Sequence, residues 1–120
     1  MTDSVQRHMK VQQDSDTQWD SHLSALADPY RRQLLVALLE HDPSDGDGID
    51  PLDRVEESGT DVEFLKISIF HTHLPKLEEL GYIKWDRENG TVRTGPNWEE
   101  LEPLLTLIQN HREELPDGWL

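Results

Sequence analysis

Ser68-Ile69-Phe70-His71-Thr72-His73-Leu74-Pro75-Lys76-Leu77-Glu78-Glu79-Leu80-Gly81-Tyr82-Ile83-Lys84-Trp85-Asp86 decides how this chain is read. Phe70, Leu74 and Leu77 recur at helical spacing, and Leu80 extends the stripe. Gly81 stands where a helix C-cap calls for a left-handed residue. Tyr82, Ile83 and Trp85 have side chains that favour strands. A second strand-like run, Thr91-Val92-Arg93-Thr94, comes after Arg87-Glu88-Asn89-Gly90. Asn89-Gly90 between two such runs is a strong hairpin signal. The stretch predicts a helix, a glycine stop and a tight hairpin, in a fold that is mainly α with a small β-hairpin (α+β).

Pro75 conflicts with an unbroken helix. It has no N–H to give the His71 carbonyl and crowds it, at a cost of about 3 kcal/mol in a helix interior. A kink over residues 71–75 is expected. Upstream, Thr60-Asp61-Val62-Glu63 is a capping box, so the long helix spans about 61–80. Two stripes run along it: Ile67, Phe70, Leu74 and Leu77, and, near its start, Val62, Leu65 and Ile69. One serves the core, and the second implies a further partner.

Before that helix, Asp50-Pro51 starts a short helix that turns Leu52 and Val55 inward and ends near Ser58-Gly59. The order of short helix, turn, long helix and hairpin is that of a winged helix-turn-helix. Asp28-Pro29 caps a helix to His41, whose stripe of Leu34, Leu35, Leu38 and Leu39 suits the centre of a core. Thr17 and Asp20 cap a helix at about 18–27 carrying Trp19, Leu23 and Leu26. After the hairpin, Asn97 and Glu100 offer another cap, and Pro103 shifts the regular helix to start at Glu102. Its apolar face is Trp98, Leu101, Leu104, Leu105 and Ile108. The expected organisation is a mobile arm at 1–16, the winged domain at 17–95, and a helix and tail at 96–120.

The 120 residues suffice for one domain with one core. Eighteen consecutive apolar residues occur nowhere, so no membrane span is expected. Absence of cysteine removes disulfides, thiolate nucleophiles and cysteine-bound zinc. With no secretory leader at the polar N-terminus, a cytoplasmic protein is expected. The net charge is −14, but it is uneven. Residues 40–63 carry ten acids against Arg54, net −9. Residues 64–96 carry four acids against five bases, net +1. The acidity therefore lies outside the helix and hairpin. Four lysines against seven arginines, with acids scattered over several segments, suggest a surface solvated for concentrated salt.

The long helix offers Lys66, Ser68, His71, Thr72 and Lys76 opposite its apolar face. Short polar and cationic side chains read base edges and hold phosphates in a major groove. Lys84, Arg87 and Arg93 on the hairpin suit phosphate or minor-groove contact, or else cross-strand pairing with Asp86 or Glu88. Trp98, Leu101, Leu105 and Ile108 are the candidate dimerisation residues. No metal is expected. His71 and His73 diverge by about 200° on a helix. The acidic loop at 42–50 lacks the glycine and terminal glutamate of an EF-hand. No catalytic constellation or cofactor motif is present.

Two segments carry a family resemblance. Ala25-Leu26-Ala27-Asp28-Pro29-Tyr30-Arg31-Arg32-Gln33-Leu34-Leu35 resembles the opening of ArsR-like winged-helix regulators. His73-Leu74-Pro75-Lys76-Leu77-Glu78-Glu79-Leu80-Gly81-Tyr82-Ile83 resembles their passage from recognition helix to wing. His-x-His-Leu-Pro-Lys-Leu with an acidic loop looks like the haloarchaeal branch. The resemblance implies a homodimeric regulator that binds double-stranded DNA. It puts Ser68, His71 and Thr72 towards DNA and Arg87 and Arg93 in the wing. The cysteine box of metal-sensing members is missing, and the segment from Gly59 to His73 is longer than usual. The competing expectation is an acidic interaction module for a basic protein partner, or a DNA mimic.

Overall fold

The computed structural model describes residues 19–42, 46, 48–53, 61–117 and 119. The expectations for the arm at 1–16, the Thr17 cap, the helix end near Ser58-Gly59 with inward Val55, and the Thr60 cap lie outside those residues. The described chain is mainly helical with one two-stranded antiparallel hairpin, an α+β fold. In order come α1 (19–26), α2 (Pro29–Glu40), α3 (Asp61–Ser68), a π-helical turn (Ile69–His73) and α4 (Leu74–Glu79). Next are β1 (Ile83–Asp86), β2 (Thr91–Thr94), α5 (Trp98–Asn110) and a short 3₁₀ turn (Arg112–Glu114). Among the described residues no helix is long and apolar enough to cross a membrane.

Helix α2 is central. The Asp28 carboxylate accepts from the backbone N–H of Tyr30 (2.8 Å) and Arg31 (3.3 Å), and Pro29 occupies the first turn. Leu34, Leu35, Val36, Ala37 and Leu38 are all buried. On α1 the inward face is His22, Ala25 and Leu26. Trp19 and Leu23, expected inward with Leu26, are exposed instead. His22 displaces them because its imidazole bonds the Tyr82 hydroxyl across 2.6 Å, a contact sixty residues away in sequence.

The conflict at Pro75 resolves as a π turn within a continuous helical run. The Leu74 N–H reaches back five residues to the Ile69 carbonyl, one residue before the proline. The extra residue rotates α4, relative to α3, by roughly one position. Leu65 and Ile69, four apart, thereby share an inward side with Leu74 and Leu77, five and eight residues beyond Ile69. Two stripes that look separate in the sequence become one. Ile67, expected on the inward stripe with Phe70, Leu74 and Leu77, is exposed, because that stripe assumed an unbroken 3.6-residue period.

The helical run ends at Gly81, where φ is +82°. The Gly81 N–H bonds the Glu78 carbonyl and the Tyr82 N–H bonds the Leu77 carbonyl, which is a Schellman closure. A Cβ at Gly81 would run into the Asn97 carboxamide. That carboxamide donates to the Leu80 carbonyl at 3.1 Å and makes no side-chain cap for α5, contrary to the expected role of Asn97. Helix α5 starts at Trp98 and runs through Pro103, four residues earlier than expected. Glu99, whose carbonyl would have received the missing N–H, and Pro103 are both exposed, so water can serve that carbonyl.

The hairpin pairs Ile83 with Thr94, Lys84 with Arg93, Trp85 with Val92 and Asp86 with Thr91. Its loop is Arg87-Glu88-Asn89-Gly90, with only Gly90 left-handed (φ +66°). Asn89 has no positive φ, so this is not the two-residue mirror-image turn that Asn-Gly usually forms. Asp86 organises the loop by accepting from the backbone N–H of Glu88 and Asn89 and from the Asn89 side chain. Ile49 adds a single bridge to Val92, with both N–H groups donating across it (2.9 and 2.8 Å).

Candidate functional site

Two clusters of polar side chains stand out. The first lies at the corner between α1 and α2. Arg31 is 8 % exposed and Arg32 7 %. Arg31 donates to the carbonyls of Ala25 (3.1 Å) and Ser24 (2.9 Å), and Arg32 to that of Leu26 (2.8 Å). Three carbonyls at the end of α1 thus meet buried cations, which also oppose the helix dipole. Arg31 donates to His73 Nδ1 at 3.0 Å. Arginine has no acceptor, so His73 is neutral, with its proton on Nε2, 3.8 Å from Asp28. Burial holds the His73 pKa below its ordinary value; Asp28 opposes this and Arg31 adds to it. The Tyr30 ring lies against His73, and the Tyr30 hydroxyl donates to the Pro51 carbonyl. Burial, aided by Asp50, pushes the Tyr30 hydroxyl well above the tyrosine range. Arg32 also donates to the Trp119 carbonyl (2.9 Å) and stacks 4.3 Å from its ring, so the C-terminal tail closes over this corner.

The second cluster is the outer face of the helical run with the hairpin. His71 and Thr72 are exposed; Lys66, Ser68 and Lys76 are half-buried. All five were expected on this helix, and all remain at least partly accessible. The π turn, with Ile69 and His73 buried inside it, sets where His71 and Thr72 point. Among the described residues no group of three or more His, Asp or Glu is placed to hold a metal ion.

On the hairpin, Lys84 and Arg93 face each other across the strands and are both exposed. Neither joins an ion pair among the described residues. Arg93 helps to lower the Asp86 pKa, behind the larger effect of the Asn89 hydrogen bonds. Like charges directly opposite on a hairpin repel, so neither cation stabilises the other. Arg87 differs. Its guanidinium pairs with Glu78 of α4 at 3.2 Å and stacks 4.1 Å from the Trp85 ring. The expected partners, Asp86 and Glu88, do not take it. Trp85 in turn stacks on Phe70 (5.7 Å) and donates its backbone N–H to Glu78 at 3.4 Å. A cleft of about 400 Å³ lies between α4 and the hairpin, bordered by Glu78, Lys84, Trp85 and Arg93.

The expected dimerisation set has another use. Trp98, Leu101 and Leu105 are buried in the chain's own core, and Ile108 packs against it. On α5 the large apolar side chain left outside is Leu107, 55 % exposed. Sequence reasoning also missed Phe64 and Ile67, which lie outward on α3. The five-residue step from Ile69 to Leu74 beside Pro75 was the available signal.

These elements define a small, mainly helical domain with, among the described residues, one antiparallel hairpin. The chain matches, over residues 23–93, the family described as Domain of unknown function (DUF7344), and it belongs to that family. The match spans both resemblance segments and nearly all of the hairpin, and leaves out α5 and the tail. No curated protein matches the chain, and no solved structure does.

Proposed function

We propose that this protein is a cytoplasmic, DNA-binding transcriptional regulator of the winged helix-turn-helix type, related to ArsR-like proteins and adapted to high salt. The supporting observation is continuity. The accessible face of the helical run leads through Gly81 directly into a hairpin whose Lys84 and Arg93 join no ion pair among the described residues. The run is the recognition helix and the hairpin the wing. Ile49, bridged to Val92, is the remnant third strand. His71, Thr72 and Ser68 read base edges; Lys66, Lys76, Lys84 and Arg93 hold phosphates. Arg87 joins them only when it leaves Glu78. The protein acts as a homodimer, and the exposed apolar side chains available for this are Trp19 and Leu23 on α1 and Leu107 on α5 rather than Trp98, Leu101, Leu105 and Ile108.

A gel shift in multimolar potassium chloride tests the reading. Lys84→Ala, Arg93→Ala and Lys66→Ala weaken binding on every sequence, while His71→Ala or Thr72→Ala changes the preferred sequence. Unchanged binding in all five variants removes the assignment. A second reading, an interaction module for a basic protein, draws on the −9 of residues 40–63 and on exposed Phe64. Pull-down at high salt with and without nuclease separates the two, since only the DNA reading loses its captured material on digestion.

A further inference from the structure

The outer face of α3 carries two large apolar side chains that neither the core nor the hairpin uses. Phe64 is 73 % exposed and Ile67 56 %. They stand three residues apart and so share a face. Leu65, Ile69, Leu74 and Leu77 set the opposite side as inward. Ser68, His71 and Thr72 continue the outer face through the π turn, and Lys76 comes next on α4.

The mixture is informative. A greasy protein groove would favour an unbroken apolar stripe, but here hydroxyls, an imidazole and a lysine follow the two apolar groups along the helical run. A major-groove edge presents the same mixture from the other side: hydrogen-bonding donors and acceptors, flanking phosphates, and one apolar group, the thymine 5-methyl. Charge points the same way. Residues 64–96 are net +1 in a chain of net −14, and although Asp61 and Glu63 stand at the start of α3, the section supplies Lys66, Lys76, Lys84 and Arg93 to a polyanion.

We propose that Phe64 and Ile67 are specificity-determining residues that contact thymine 5-methyl groups, giving the protein a preference for thymine at two nearby positions in its site. The inference rests on the DNA-binding reading above and adds to it the base that this face selects.

The full chain, in multimolar potassium chloride, is used to select duplexes from a random pool. The selected duplex is then remade with deoxyuridine at each enriched thymine, which removes only the methyl group. The wild type should bind about fourfold more weakly for each methyl removed, the effect of one buried methyl group. Phe64→Ala and Ile67→Ala should each lose one of these differences while keeping the helical circular dichroism of the parent, and Ile67→Val should retain its own. Wild-type protein that binds both duplexes alike overturns the inference and leaves DNA binding standing. So does a Phe64→Ala, Ile67→Ala double variant that still prefers thymine. Failure to enrich any duplex overturns the DNA reading and this inference together.

Discussion

Arg31 and Arg32 at the α1–α2 corner and Lys84 and Arg93 on the hairpin are two cation pairs with opposite surroundings. The corner pair is buried and committed, with carbonyl, imidazole and ring partners from α1, the π turn and the tail. The hairpin pair is exposed and faces itself. The same charge therefore does two jobs. Buried, a guanidinium replaces the water that helix-end carbonyls would otherwise need, and its loss is severe. Exposed, a cation adds little to stability and remains available to an anion. Arg87, stacked on Trp85 and paired with Glu78, is intermediate.

Arg31→Ala should have the largest effect. It strands the carbonyls of Ser24 and Ala25 and removes the donor to His73, and it should cost about 3 kcal/mol or more by urea or thermal unfolding at high salt. A loss below about 1 kcal/mol would mean the corner is not held by this side chain. Gly81→Ala comes second, at about 2 kcal/mol, because the residue must keep φ near +82° and the added Cβ meets Asn97. It loosens the joint between the two regions.

Acid should separate the regions further. His22 and His73 both have pKa values lowered from 6.5, chiefly by burial. The unfolded chain therefore binds these protons first, so stability is full above pH 6.5 and falls as pH drops below it towards the lowered values. Thermal melts between about pH 7 and about pH 5 should show this decline, and His73→Gln should flatten it. An unaltered slope in that variant would place the acid sensitivity elsewhere. The smallest effect on folding belongs to Lys84→Ala and Arg93→Ala, within about 0.5 kcal/mol of the parent or slightly stabilising, since each relieves repulsion. Marked destabilisation by either would end the contrast with the corner pair.

Much of the framework was legible along the chain. Asp28-Pro29 marked the start of α2, its leucines marked a central helix, and Gly81 marked the stop before β1. These are local devices: a carboxylate within reach of nearby N–H groups, a ring with φ preset, a residue without a Cβ. The candidate site was legible only in part. The residue types on the helix and hairpin were visible, but Glu78 taking Arg87, and the core taking Trp98, Leu101 and Leu105, depend on segments brought together from afar.

By itself the sequence determined where α2 starts, where the helical run stops, where the hairpin turns and where the acidity is concentrated, because capping, backbone preference and charge are properties of neighbours in the chain. Tertiary structure alone decided the side of the long helix that faces out. Pro75 offered a kink, a break or a π turn. The π turn lets Leu65 and Ile69 share one core with Leu74 and Leu77, since burying Ile69, Leu74 and Leu77, with Leu65 packed against them, outweighs one displaced hydrogen bond. That choice turned Ile67 outward and set the face that His71 and Thr72 present.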